Sequence, residues 1–480
     1  MESTTLKQID LDAGATDLVA QHSTLQTSLL HSCPAHKWFH ELYNKSCPRP
    51  ILLGKHHNDQ LRKLQEALAV AIADIVPRWF SDEDACFPKR MPLSPEEEHH
   101  LRWLDDQVSR GNLRPFPECM GSWRPDFLVE EHQCAGGTII EENFCITEIN
   151  ARFSFNGFMV VSYGQKALEQ ELKESNSDLM GAVDPETMMS GLLDIFDPKL
   201  PLHLLKGVEN GIDIHMFVHE LERRCGVSPR MATPSELRLI PDPGSKTGYR
   251  LCCPIQSDVG NDTCQRETLE DIYQIGLEVH QHELAAMDPE LLRQLSLRCF
   301  NDMRTILLVH DKRMLGIVKE ELPDLVSRHV ISPEQAQILD RGIVDTILPG
   351  SHEMAKLLKT SMDSPELKNG YILKPIRSGK GEGIMFGEDF TPNDWLASLR
   401  RQTSGEIIPG VSCVVQRRII PRKYDLVLDQ HTVTRPYNLV GTFHLVNGLY
   451  RGLGTWRAGE SRIVALTTGG WWICSVTTGS

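Results

Sequence analysis

Between Thr138 and Phe155 the chain reads TIIEENFCITEINARFSF, a β-type run introduced by Gly136-Gly137. Within it, Glu148-Ile149-Asn150 sets a carboxylate and an amide two residues apart among apolar neighbours, Phe144, Ile146, Phe153 and Phe155. Residues i and i+2 of a strand project to one face. If the strand is interior, its charge has to be compensated there. Two hard oxygen donors side by side also suit Mg2+. An isolated E-x-N is far more often a solvated strand face, so its meaning depends on what the rest of the chain brings to it.

Three other stretches bear on that question. Ile372-Leu373-Lys374-Pro375 reads as a strand ending in a lysine, and Arg377-Ser378 then leads into Gly379-Lys380-Gly381-Glu382-Gly383. Glycines let backbone N–H groups approach phosphate oxygens, and lysine adds a point charge. The turn is not a Walker A loop, since no G-x-x-x-x-G-K-[ST] occurs there. The apolar run Ile306–Val309 predicts a strand that delivers His310-Asp311-Lys312-Arg313 to a helix start. Val414-Val415-Gln416-Arg417-Arg418-Ile419-Ile420-Pro421 predicts an apolar strand whose terminal backbone groups can bind adenine. Each stretch alone also fits a bland alternative: a hairpin, a solvated junction, an ordinary strand.

Composition narrows the classes of function. The chain has 480 residues, with Lys plus Arg 50 against Asp plus Glu 65, a formal charge of −15. Nucleic-acid and anionic-membrane binding rest on clustered cations, so neither partner is expected. A local basic site for a small anion stays open. The 13 cysteines are scattered, without a C-x-x-C pair, which argues against structural zinc and fits a reducing, cytoplasmic setting. The N-terminus reads MESTTLKQID, with no basic-then-apolar signal. No apolar run of membrane-spanning length is present.

Helix grammar is clear in three places. Ser94-Pro95-Glu96-Glu97 and Ser332-Pro333-Glu334-Gln335 carry the cap, the first-position proline and the reciprocal acid or amide, and Thr391-Pro392 is a weaker case. Leu61, Leu64, Leu68, Ile72 and Ile75 predict an amphipathic helix over 57–80. Residues 1–50 read as an arm or small subdomain. Residues 200–300 read as an α/β insert: a strand at 202–205, a helix at 212–224, a strand at 237–240, a turn at Asp242-Pro243-Gly244 and a strand at 249–253. The tail 436–480 reads as strands. His56-His57 and His99-His100 are expected on helix surfaces, Trp471-Trp472 in packing, Asp311 as a charge partner of Lys312, and Arg417-Arg418 with Arg422-Lys423 as a solvated basic cluster.

Taken in order, the four stretches resemble the ATP-grasp ligases. Most members carry the E-x-N strand last. Here it comes first, an order similar to the circularly permuted members, eukaryotic glutathione synthetase and glutathionylspermidine synthetase. Trp123-Arg124-Pro125-Asp126-Phe127, Gly454-Thr455-Trp456-Arg457 and Thr467-Thr468-Gly469-Gly470 also resemble synthetase segments. The resemblance spans about residues 120–475 and implies an α/β (α+β) ATP-grasp fold in permuted order, with an inserted α/β substrate domain. The expected division is 1–120 for an N-terminal arm and helical subdomain, 121–200 for the first part of the core, 201–305 for the substrate domain and 306–480 for the ATP-grasp domain.

The resemblance implies ATP and Mg2+ as cofactors. Glu148 and Asn150 would bind the metal. Lys312 and Lys374 would meet phosphates under a lid of Gly379, Lys380, Gly381 and Gly383. Val415, Gln416, Arg417 and Ile419 would hold adenine. Arg124 and Arg457, with Lys374, would act on the substrate carboxylate or the transferring phosphoryl group, and Gly469 and Gly470 would lie at the substrate. Two departures stand out. Ser378 occupies the position of a third metal ligand, for which Glu382 is the replacement expected. Phe153 and Phe155, around Ser154 and beside Arg152, stand where the synthetase carries peptide-binding serines, so Arg152 and Ser154 are expected at a different substrate. The reading is an ATP-dependent amide-forming ligase acting on a small-molecule carboxylate and an amine, an amino acid or small acid of specialised metabolism. A kinase-like phosphotransferase and a nucleotide-binding chain without catalysis are the alternatives. The resemblance also implies a homodimer, though no interface signature is present.

Overall fold

The computed structural model describes residues 5–11, 17–133, 140–175, 177–255, 268–429 and 433–478. The Gly136-Gly137 turn lies outside them. A ten-stranded sheet organises the molecule, with the path Lys7–Gln8, Ser46–Leu53, Trp471–Thr478, Trp456–Gly459, Arg435–Val446, Ser122–Gln133, Ile140–Asn150. Its pairings along this path are antiparallel except that Ser46–Leu53 runs parallel to Trp471–Thr478. Segments from both ends and the middle of the chain thus share one sheet, as a permuted order requires. Residues 46–53, expected in an arm, contribute a strand of this sheet.

The insert holds a parallel sheet, Ile275–Glu278, His203–Lys206 and Arg230–Ala232, with the helix Ile214–Cys225. Beside it runs the antiparallel set Leu269–Asp271, Tyr249–Pro254 and Arg238–Pro241. A third, four-stranded sheet orders Thr346–Ile347, Cys413–Arg417, Tyr371–Pro375 and Met385–Phe386. It packs its own core, in which Leu373 and Val415 meet Met354, Trp395 and Leu399 from the helices His352–Asp363 and Pro392–Arg401.

The three helix starts carry their caps. Ser94 and Glu97 bond reciprocally at 3.2 Å each, Ser332 and Gln335 do likewise, and Thr391 accepts from the Asp394 N–H. Glu97 also accepts from Arg377 at 2.7 Å, so one capping residue anchors the root of the glycine-rich turn.

Three expectations are corrected. The run Thr305–Val309 is a buried π-helical turn, not a strand. An apolar run enclosed on all sides has no periodicity to separate the two. Asp311 pairs with Arg313 at 2.8 Å and Arg377 at 3.0 Å, not with Lys312. His57 and His100 are buried rather than superficial: His57 meets Glu142 at 3.0 Å and His100 meets Ser296 at 2.9 Å.

Candidate active site

The strands Ser122–Gln133 and Ile140–Asn150 pair so that Arg124 faces Asn150 and Asp126 faces Glu148. Cross-strand partners and i, i+2 residues share a face, so these four side chains form one square. The register then slips, because Phe127 faces Ile146 and leaves Thr147 as an extra residue. Such a bulge removes a residue from the ladder. The freed Thr147 carbonyl accepts from Lys374 Nζ at 3.4 Å and from Gln416 Nε2 at 3.2 Å. The bulge thereby ties the E-x-N strand to the lysine strand and the hinge strand of the small sheet.

Around the square the charge is positive. Asp126, 2% exposed, receives Arg124 Nε at 3.1 Å and also the Arg457 guanidinium. Lys312 Nζ lies 3.4 Å from Glu148 and also donates to the Ser378 carbonyl. Burial pushes the Glu148 carboxyl upward, but Lys312, Lys374, Arg457 and Arg124 more than offset this and hold it well below the carboxylate range. Burial brings the Lys374 ammonium down to about 8, with Glu148 working against the shift. Glu148 is therefore ionised, and with the Asn150 amide it offers a hard-oxygen donor pair fit for a divalent cation. Asn150 Nδ2 has no hydrogen-bond partner among the described residues.

A cavity of about 470 Å³ opens onto this face. Arg124, Glu148, Asn150, Arg152 and Lys374 line it on one side, and Gly379, Lys380 and Gly381 on another. Gly381, at φ +77°, lies against the loop after Trp456–Gly459, where a Cβ would come 2.4 Å from Ile463. Lys380 reaches across to the insert and bonds both Glu209 oxygens at 3.0 Å.

Several expected site residues lie elsewhere. Lys312 is buried behind Glu148 and is not part of the cavity wall. Glu382 is exposed and also outside it; the turn closed by its N–H on the Gly379 carbonyl leaves its side chain in solvent. Gly383 is likewise exposed and outside the wall. Ser154 is fully buried, and its hydroxyl accepts from the Leu277 N–H at 3.1 Å, which makes it a joint between core and insert. Gly469 and Gly470 are not in the wall either, although Leu466 and Thr467 just before them are.

The hinge needs the same adjustment. Val415 points into the small sheet's core, and its strand is paired on both sides. Gln416 and Arg417 line the cavity, but Arg417 is held by Glu130 at 2.6 and 3.0 Å. Beyond Arg418, whose N–H bonds the Gly370 carbonyl, the chain leaves the ladder. Ile419, Ile420 and Pro421 then line the cavity, with Ile420 76% exposed. Of the four residues expected at adenine, Gln416, Arg417 and Ile419 line the cavity and Val415 does not, and the backbone free of the ladder begins at Ile419.

Four contributors were missed by sequence reasoning: the Asp126 carboxylate, the Thr147 bulge, and Glu209 and Glu278 of the insert. Only Asp126 had a signal, its i+2 spacing from Arg124. The other three depend on register and tertiary placement. Among the described residues, no helix is long and apolar enough to cross a membrane.

A family model described as the AnkG N-terminal domain matches residues 64–308. The ATP-grasp enzyme AnkG of Aspergillus thermomutatus is 33% identical over 464 residues, covering 94% of this chain and 93% of its own. The apo structure of a glutathione synthetase-like effector, GSS30, from Globodera pallida matches with a TM-score of 0.54 at 11% identity, covering 96% of this chain and 98% of that one. That structural likeness shows a glutathione synthetase-like ATP-grasp fold, and the sequence relative shows the family: the chain belongs to the ATP-grasp enzymes, with AnkG as a relative along nearly its whole length.

Proposed function

We propose that the chain is an ATP- and Mg2+-dependent ligase that joins a carboxylate to an amine. The observation that carries this reading is the convergence of Arg124, Lys312, Lys374 and Arg457 on the ionised Glu148, at a cavity walled by the glycine-rich turn. Four cations face two carboxylates, Glu148 and Asp126, and this excess of positive charge suits a polyphosphate. Glu148 and Asn150 would hold Mg2+, which supplies charge neutralisation to the phosphates. Adenine would stack beside Ile419 and Ile420 and bond the free backbone after Arg418. Lys374 would meet the phosphates, and Arg124 and Arg457 would hold the substrate carboxylate in line.

One carboxylate oxygen then attacks the γ-phosphorus, and the bond to ADP breaks. The amine nitrogen attacks the resulting acyl phosphate, phosphate leaves, and the nitrogen loses a proton. No protein nucleophile is required; positioning, fixed charge and exclusion of water supply the rate. Phe153 lines the substrate end with Arg152 stacked over it at 4.4 Å, which supports a substrate other than a glutathione precursor.

Calorimetry with MgATP tests the reading. Wild type is expected to bind, Lys374→Ala to bind more weakly, and Glu148→Ala to lose its metal dependence. Candidate carboxylates with hydroxylamine should then yield a hydroxamate. Absence of MgATP binding by the folded wild type, with and without candidate carboxylates, would defeat the proposal. The exposure of Glu382, which leaves the Ser378 departure without its expected replacement, favours one second reading: a nucleotide-binding chain without turnover. It would give MgATP binding and no hydroxamate with any acid.

A further inference from the structure

The insert closes one end of the cavity with carboxylates, and one of them is incomplete. Glu278 ends the strand Ile275–Glu278, is 0% exposed and lines the cavity. Its Oε1 accepts from the Phe155 N–H at 3.3 Å, while Oε2 has no hydrogen-bond partner among the described residues. Nearby groups are already engaged. Glu209 is held by Lys380 at 3.0 Å and His280 at 3.2 Å. Glu283 accepts the Val208 and His280 N–H groups. Asp213, at the start of the helix Ile214–Cys225, accepts the Met159 N–H through Oδ2 but leaves its buried Oδ1 without a partner. Arg152 attracts Glu278, but no ion pair joins them among the described residues.

Gly211 borders the same end of the cavity, at φ +72°; a Cβ there would come 2.8 Å from Ile214 Cγ2 and into ordinary contact, 3.5 Å, with Glu278 Oε2. Two buried carboxyl groups, Glu278 and Asp213, each with one oxygen lacking a hydrogen-bond partner among the described residues, describe an unfinished structure.

We propose that Glu278 is the seat of a protonated nitrogen of the substrate, an ammonium or a guanidinium, with the Asp213 carboxyl as a second source of negative charge near it. The seat deepens the ligase reading and rests on it for its role as a substrate subsite. Burial, then the charges of Asp213 and Glu209, keep the empty Glu278 protonated well above the carboxylate range, while Arg152 works the other way. Arrival of a cation favours the ionised carboxylate, so binding is accompanied by proton release to solvent.

The test uses the full chain, with and without Mg2+ and a non-hydrolysable ATP analogue. Butylammonium and ethylguanidinium are titrated against the neutral 1-butanol, in buffers of different ionisation enthalpy. At least one cation should bind where the alcohol does not, with proton release. Glu278→Gln should weaken it by about tenfold or more, roughly 1.4 kcal/mol, and abolish the release. If Glu278→Gln does not fold, Asp213→Asn, whose amide oxygen can still accept the Met159 N–H, should weaken cation binding in the same direction by removing the second charge. Equal binding of cation and alcohol by wild type, or wild-type binding by both variants, overturns the seat and leaves Glu278 a protonated structural acid. Failure of the nucleotide analogue to bind defeats the ligase reading instead, and the nucleotide-free titration still decides the seat.

Discussion

Glu142 and Glu278 are both carboxylates shut away from solvent, 1% and 0% exposed, yet their surroundings differ. Glu142 accepts from the Leu6 N–H at 2.7 Å, His57 at 3.0 Å and the Tyr424 hydroxyl at 2.8 Å. It joins the N-terminal segment and the helix Lys55–Ile75 to the main sheet, of which the strand Lys423–Leu426 is itself a member. Burial pushes its carboxyl up, but these donors prevail and hold it below the ordinary value. Glu278 has one donor and is pushed the opposite way. The same asymmetry holds across the cavity: Asn150 Nδ2, Gln416 Oε1, His310 Nε2 and Arg457 Nε all line it and all lack partners among the described residues. A complete set of donors marks a joint of the fold. Unpartnered polar atoms also occur away from the cavity, as at Trp79 and Gln165; those on its lining residues stand beside a volume where a ligand can complete them.

The comparison breaks first at Glu142. Glu142→Ala removes one member of a closed network and leaves a histidine and a tyrosine hydroxyl unpaired, which should cost about 3–5 kcal/mol in denaturant unfolding. A loss below about 1 kcal/mol would show that the network is not structural. The pH sign follows from the depressed carboxyl. Its contribution is complete above the ordinary value of 4.5 and is lost as pH falls below it, so Glu142→Gln should flatten that acid limb. Next in size is Lys374→Ala. Turnover should fall by about 10²–10³-fold, or roughly 3–4 kcal/mol. The thermal midpoint should hold or rise, because the deleted charge was one that burial disfavours. A midpoint drop with normal turnover would place Lys374 with Glu142 rather than with the cavity.

Much of this was legible in the chain because local grammar carried it. The caps at Ser94, Ser332 and Thr391, the lysine strand with its glycine turn, and the order of E-x-N before Lys374 all read directly. The family followed from that order. What did not read was set by register and enclosure. The Thr147 bulge has no signature in a run that alternates imperfectly. The turn at 305–309 looked like a strand because burial on every side erases periodicity. Lys312 sits in the expected motif, yet it is turned to Glu148 and Ser378 behind the wall. Glu278 lies about 130 residues after Glu148 in sequence and joins its cavity only because Ser154 and Leu277 bind the insert to the core.

Two smaller effects sharpen the contrast. Lys374 is charged below about 8 and neutral above it in the empty site. MgATP affinity should therefore be level below that pH and fall above it, by up to about tenfold per unit. The Lys374→Met variant should show no such limb. A limb that persists in the variant would assign it to another group.

The smallest effect is expected at the contact that spans the cavity mouth. Lys380 is 52% exposed and Glu209 6%, so their pair belongs near the surface class, worth about 0–1 kcal/mol. Glu209→Gln should leave the unfolding midpoint almost unchanged, because the fold does not depend on the pair. It should instead free the glycine-rich turn, whose backbone Gly381 carries past Ile463. Trypsin cleavage after Lys380 should then be faster in the variant than in wild type. MgATP should slow cleavage in both, since phosphates would replace the lost anchor. Equal cleavage in the two ligand-free proteins would mean that Ile463 and Pro375 hold the turn by packing alone. The Lys380–Glu209 pair would then be an incidental meeting of charges, and the insert would influence the turn only through a bound ligand.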